Sequence, residues 1–399
     1  MKKIGEKSIR FFLSCILILN FFVSLKPLKV NGVSFDGGSG TPEDPYIIST
    51  AEQLDAVRDN HSASYRLAND IDLTDYIDQK YGSEGWRVIG GEPDPYSFDG
   101  NFDGNGYKIS GLWINRPDEN YVAFFGGFKG NETKIKNLNI ELSPKGIVGN
   151  NYVGGIVGNN EGGLISGCSV TGGPLVGKEL IGKLVGESHQ DIQSCYTSGE
   201  AVTSNSTITD TSKGTGTGGL VGKISNSSCI EDCFSTCDVV KEQGISAGGF
   251  IGWSGGYSEI RRCYTTGNVL GGNNGGNYPV ANQIGGFIGH NDKATVKDCY
   301  TAGNVHGIEG GGGGFAGNSM ASRDSKIQTS YACCGEVVIS KVFIGYNRAV
   351  SSITGCYYDK NKGIEKSYGG KASNSTVEAY GKTTEEMHKK ATYEGWDFD

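Results

Sequence analysis

The stretch GGFIG occurs at Gly248–Gly252 and again at Gly285–Gly289, and its recurrence decides the fold. Variants surround it: GGIVG at Gly154–Gly158, GKLVG at Gly182–Gly186, GGLVG at Gly218–Gly222, GGFAG at Gly313–Gly317 and KVFIG at Lys341–Gly345. About ten residues after each comes a second motif: GCSVTG from Gly167, SCYTSGEAV from Ser194, DCFSTCDVV from Asp232, RCYTTGNVL from Arg262, DCYTAGNV from Asp298, SYACCGEVV from Ser330 and GCYYDKNKG from Gly355. The period wanders from 28 to 37 residues, with two short apolar strands and several glycine turns in each.

No unit of this size can bury its own apolar face. Stacking solves the problem, because like residues then fall on like residues. Parallel strands about 4.8 Å apart do this with short segments. The expected fold is all-β: a right-handed single-stranded parallel β-helix (solenoid) of roughly eight to ten coils, with a short N-terminal capping helix. A propeller blade needs four strands and a longer unit, and the leucine spacing of a horseshoe is missing. Variable loop length at one corner explains the wandering period, and the polar insert Thr203–Thr217 is such a loop.

The GG-[LIF]-[VIA]-G pattern resembles the GLUG-repeat family, from about Gly37 to the end of the chain. The N-terminal stretches GGSGTPEDPYII (Gly37–Ile48), YRLANDIDL (Tyr65–Leu73), WRVIG (Trp86–Gly90) and IKNLNI (Ile135–Ile140) look like the first coils of bacterial surface and secreted β-helix proteins. The resemblance implies an adhesin-like or spacer role at the cell surface. It also implies further chain after WDF-like residues such as Trp396–Phe398.

Residues 1–32 read as a signal peptide. Lys2, Lys3, Lys7 and Arg10 precede the apolar run Phe11–Leu25, which is too short for a comfortable membrane span. Cleavage is expected after Val30-Asn31-Gly32, which makes the protein secreted or extracellular, with no membrane span once the signal is gone. Residues 33–145 read as an N-terminal cap and first coils, 146–358 as repeat coils, and 359–399 as a tail or cap. Removing residues 1–32 leaves 30 Lys+Arg against 43 Asp+Glu, a net charge of −13. A basic nucleic-acid footprint is absent, and the expected partners are glycan or protein.

Two capping boxes frame the coils. Ser49 with Glu52 opens a helix that buries Ala51, Leu54 and Val57, and Thr383 with Glu386 repeats the pattern near the C-terminus. Cys168, Cys195, Cys233, Cys263, Cys299 and Cys356 share one repeat slot, which Tyr331 takes in the sixth repeat. Stacked side chains pointing one way make poor disulfides, so a buried thiol ladder is expected. A disulfide between Cys229 and Cys237, or one using Cys333 or Cys334, is the alternative.

Chemistry-bearing candidates are few. In FDGNFDGNGYKISGL (Phe98–Leu112), the residues Asp99, Asn101 and Asp103 copy half of a calcium loop, but Ser110 stands where the bidentate Glu belongs. Turn building is the expected role, with calcium as the alternative. The C-x3-C-x3-C spacing of Cys229, Cys233 and Cys237 matches no common zinc or iron–sulfur motif. IgA-cleaving metalloproteases can carry GLUG repeats, but the five histidines here form no H-E-x-x-H. The glycine run Gly310–Gly314 lacks a following Gly-Lys-Ser/Thr and reads as a loop. The alternative to a non-enzymatic module is a polysaccharide lyase or glycoside hydrolase, which would draw on surface groups such as Glu259, Arg261, Arg262, Lys297 and Asp298. No pair stands out, so no catalytic residue is named. The aromatic row Tyr196, Phe234, Tyr264, Tyr300 and Tyr357 follows the slot cysteines by one residue. It should face outward as a candidate ligand-binding stripe or as structural stacking.

Overall fold

The computed structural model describes residues 29–30, 32–91, 97–130, 133–206, 214–241, 246–271, 283–307, 312–319, 324–337, 342–347, 352–371 and 376–393. Most of the expected signal segment, the centre of the 203–217 insert and residues 394–399 lie outside them.

The chain is a parallel β-helix. Each regular coil carries five short strands rather than the two expected, as in Ser246–Gly248, Ile251–Ser254, Glu259–Arg261, Tyr264–Thr265 and Val269–Gly271. Strands of two to four residues leave too little alternation to be read singly. Each pairs in parallel with its equivalent one coil away, and these columns assemble into sheets of 26, nine and six strands. In the order in which they follow the glycine motif, column one holds strands such as Glu259–Arg261. Column two holds Tyr264–Thr265, column three Val269–Gly271, column four Ser246–Gly248 and column five Ile251–Ser254. Column one counts twelve strands among the described residues, from Tyr46–Ile48 to Thr376–Lys382, so there are more coils than the eight to ten expected. At about 4.8 Å per step the stack is roughly 50 Å long.

Like residues do fall on like. Ile135, Ile165, Ile192, Ile230, Ile260, Val296, Ile327 and Ile353 form a fully buried file along column one. Phe250, Phe287, Phe315 and Phe343, from the third motif position, stack inside at 4.9–5.1 Å between centroids. One continuous core runs from Phe35 to Ala379.

The glycine motif is a matter of clearance. A Cβ on its last glycine would meet backbone: Gly222 would strike Gly186 O and Ile181 N at 2.5 Å, and Gly289 would strike Gly252 O at 2.6 Å. Columns four and five therefore touch backbone to backbone, which only glycine permits. The turn from column one to column two is left-handed in every repeat coil. Gly167, Ser194, Asp232, Arg262, Asp298, Thr329 and Gly355 all have φ between 42° and 61°.

The first coils depart from the pattern. Helix Ala51–Asp55 and the 3-10 turn Ala56–Asp59 complete the first coil, with Leu54 and Val57 fully buried. The N-cap is Thr50, boxed with Gln53, not Ser49 with Glu52. Ser49 Oγ instead donates to Asp36. A second helix, Thr74–Tyr81, follows strand Ile71–Asp72. Asp55 anchors both helices: it accepts from Arg58 Nε at 2.8 Å and from Tyr76 and Tyr81 hydroxyls at 2.9 and 2.7 Å, and it pairs with Lys80. At the other end the Thr383–Glu386 capping box forms as expected.

Candidate functional site

The aromatic row lies on column two, but its membership changes. Tyr196, Phe234, Tyr264, Tyr300 and Tyr331 stack with centroids 4.8–5.0 Å apart and planes within 7°. Tyr331 belongs to this row, and Ser330 holds the cysteine slot, where its Oγ accepts from Cys299 N at 3.2 Å. Tyr357 is in register with Tyr331 but is only 7% exposed, covered by Met387 and Tyr393 of the C-terminal cap. The spacing of the rings equals the strand spacing, so each face covers its neighbour's. Only Tyr196, 37% exposed at the bottom of the stack, lacks an aromatic neighbour in the coil before it among the described residues, where Ser169 is its register partner.

Beside the rings, on column one and its corner, runs a charged patch. Arg261 and Arg262 converge on Glu231 at 2.7 and 2.8 Å, and Arg262 also holds Asp232 at 2.7 Å. Arg261 approaches Glu259 at 3.6 Å, and Lys297 lies 3.7 Å from Asp298. The Arg261 hydrogen bond holds the Glu231 carboxyl below its usual range, and the Arg262 hydrogen bond does the same for Asp232. These carboxylates are held ionised, the opposite of what a general acid needs.

The slot cysteines are buried, with 0–1% exposure. All ten described cysteines carry free thiols, Cys229, Cys237, Cys333 and Cys334 included. Burial pushes the Cys195 and Cys263 thiols well up and the Cys356 thiol to about 12. In the Phe98–Leu112 stretch the polar side chains serve turns and ladders. Asp103 accepts from Asn105 N at 2.9 Å and pairs with Arg66 and Lys136 at 3.4 and 3.3 Å. Asn101 accepts from Lys134 N at 2.9 Å in the next coil.

The GLUG motif matches residues 149–173 and 243–270. Two of the repeats thus match the GLUG motif. Two curated relatives match part of the chain. A protein of Evansella cellulosilytica, provisionally named a Gly-rich membrane protein, is 36% identical over 43% of this chain and 19% of its own length. The halomucin of Haloquadratum walsbyi is 32% identical over 42% of this chain and 2% of its own. The match thus spans less than a fifth of either relative. A crystal structure from Bacteroides ovatus, provisionally named an immunoglobulin A1 protease, aligns over 90% of both chains at 20% identity with a TM-score of 0.40.

Several buried polar groups of the repeat coils were not singled out in the sequence, although GKLVG already showed Lys183 in place of a motif glycine. Lys183 replaces the second motif glycine, and its ammonium donates to the carbonyls of Gly172, Gly173 and Glu200 at 2.7–3.0 Å. Lys241, 3% exposed, donates to Ser204 and Thr217 hydroxyls at 3.2 and 3.5 Å. His290 stacks on Trp253 at 3.7 Å, and burial lowers its pKa to about 3. Among the described residues, no helix is long and apolar enough to cross a membrane.

Proposed function

We propose that the chain is an exported, non-enzymatic module of the cell surface, an adhesin-like rod or spacer that presents a lateral face to a glycan or protein partner. One observation carries the reading: the outward groups of the repeat face are used on each other. Rings cover rings, and arginines hold the carboxylates ionised. Such a face supports a stiff scaffold better than a hydrolytic centre, which needs one carboxyl kept protonated. The continuous core and the parallel ladders support rigidity along the whole stack. The acidic balance disfavours nucleic acid as a partner. Export rests on the N-terminal pattern, and the names of the two relatives support a surface location.

The test uses residues 33–399 mixed with insoluble polysaccharides, reading both retained protein and released oligosaccharide. Retention without release, or capture of a surface protein without release, is the expected result. Released sugar would replace this reading with the carbohydrate-cleaving one.

A further inference from the structure

The first coils hold a groove. Its floor is the pair of long strands Lys108–Asn115 and Asn139–Val148, and one wall is the helix Thr74–Tyr81. The other wall comes from a break in register. Leu142 pairs with Leu112 and Ile147 with Ile114, so residues 143–146 loop out opposite the single residue Trp113. Such excursions re-aim side chains where a sheet does something besides stacking. A second irregularity sits at Gly111, with φ +76°, where a Cβ would come 2.4 Å from Thr74 Oγ1. The cavity between these walls has a volume of about 580 Å³, within the span of small-ligand sites.

Its chemistry is specific. Trp113 is 7% exposed. One side of its ring packs so close to Gly85 that a Cβ there would lie 2.8 Å away. Over the ring stands the Lys145 ammonium, 4.0 Å from the centroid, tethered to Asp78 at 2.9 Å. Across the groove Lys108 pairs with Glu141 at 2.6 Å. Asp72 is fixed by the Thr74 backbone and hydroxyl at 2.9 and 2.7 Å. Three carboxylates against two ammonium groups disfavour phosphates and uronates. An indole with ordered acceptors and donors around it suits a ring with an apolar face and a hydroxyl rim.

We propose that this groove binds a short run of neutral pyranose rings, one of which takes the place of the Lys145 ammonium over Trp113. The proposal rests on the surface-module reading and names the glycan class and its site. The test is calorimetric titration of residues 33–399 with hexamers of β-1,4-linked glucose, mannose and N-acetylglucosamine. Saturable binding of at least one is expected. Ser110→Arg, which fills the groove without touching the core, and Trp113→Ala should each weaken it at least tenfold. Lys145→Ala, which uncovers the indole, should tighten it about two- to fivefold. Thermal unfolding of each variant checks the fold, and Ser110→Arg decides if Trp113→Ala fails to fold. Binding indifferent to Ser110→Arg would put the sugar elsewhere and overturn the groove while leaving the surface module intact. No binding of any hexamer would also overturn the groove, and the retention assay would then decide the surface module separately.

Discussion

The thiol sulfur of Cys195 lies 3.3 Å from the backbone nitrogen of Cys168 in the coil before it, and Cys233 stands 3.2 Å from the nitrogen of Cys195. Each thiol also reaches the carbonyl two residues earlier, as Cys195 does to Gln193 at 3.2 Å. The slot cysteine therefore does more than fill space. It accepts an N–H left over at the left-handed turn, and Ser330 makes the same two contacts.

Cys233→Ser should therefore leave stability within about 1 kcal/mol. Cys233→Val, of similar bulk but with no acceptor, should cost about 1–3 kcal/mol, because the Cys195 N–H is left buried and unmet. Urea unfolding of the two variants checks the order. Cys233→Val as stable as Cys233→Ser would mean that the ladder is only packing.

Gly222→Ala should destabilise by about 1–3 kcal/mol or block folding, since the added carbon meets backbone that cannot swing away. Gly37→Ala is the control: its carbon would make only an ordinary 3.7 Å contact with Ile47. Equal melting temperatures for the two would contradict the clearance argument.

Truncating an inner ring should cost more than truncating the end of the row. Tyr264 touches Phe234 and Tyr300, while Tyr196 stacks on Phe234 alone. At about 0.5–1.5 kcal/mol per stacked pair, Tyr264→Ala should cost about twice as much as Tyr196→Ala through stacking. Denaturant titration of both variants reads the ratio.

Lys241 makes stability depend on alkaline pH. Burial lowers its pKa to about 8, against about 10.4 in the unfolded chain. Between these values the unfolded state binds more protons, so stability rises with pH across that window. Below about pH 8 the folded state bears the whole cost, about 3 kcal/mol. Lys241→Met should raise the melting temperature at pH 7 and do little at pH 10.5. An equal gain at both values would assign the effect to packing.

Asp55 acts at the acid end. Burial alone would raise its carboxyl, but Arg58, Lys80 and Tyr81 together outweigh burial and hold it below the ordinary value. Its contribution is full above the unfolded pKa of about 3.9 and fades as pH falls through the lower folded value. Asp55→Asn should cost about 1–3 kcal/mol at pH 7, because the half-buried Arg58, Tyr76 and Tyr81 lose a charged acceptor, and less at pH 2. Unfolding at the two pH values measures the difference.

The stacking was legible because repetition survives in the residues that must match: the glycines, the isoleucine file and the slot cysteines. The slot of the SYACC repeat was misread because Ser330 replaces sulfur with oxygen and keeps both hydrogen bonds, so the cysteine vanishes from the pattern while the geometry stays. The first N-cap was ambiguous, since Ser49…Glu52 and Thr50…Gln53 satisfy the same rule. Asp36 decides between them by taking the Ser49 hydroxyl. The groove had no local sign. Asp72, Trp113 and Lys145 meet only because whole coils bring them together, and a register break cannot be counted before the partner strand is known.

Between columns three and four the strands stop at Ser204, Lys241, Gly271 and His306 and resume at Thr217, Ser246, Gln283 and Gly312. Length is free at that edge of the prism and fixed almost everywhere else in the repeat coils. Successive inserts are rooted about 5 Å apart on one line, set by the strand spacing. A duplicated coil would therefore add a new insert to the line without disturbing those already there. Such a gene can diversify by copying and editing single coils, and its variation accumulates along one seam of an otherwise constant rod.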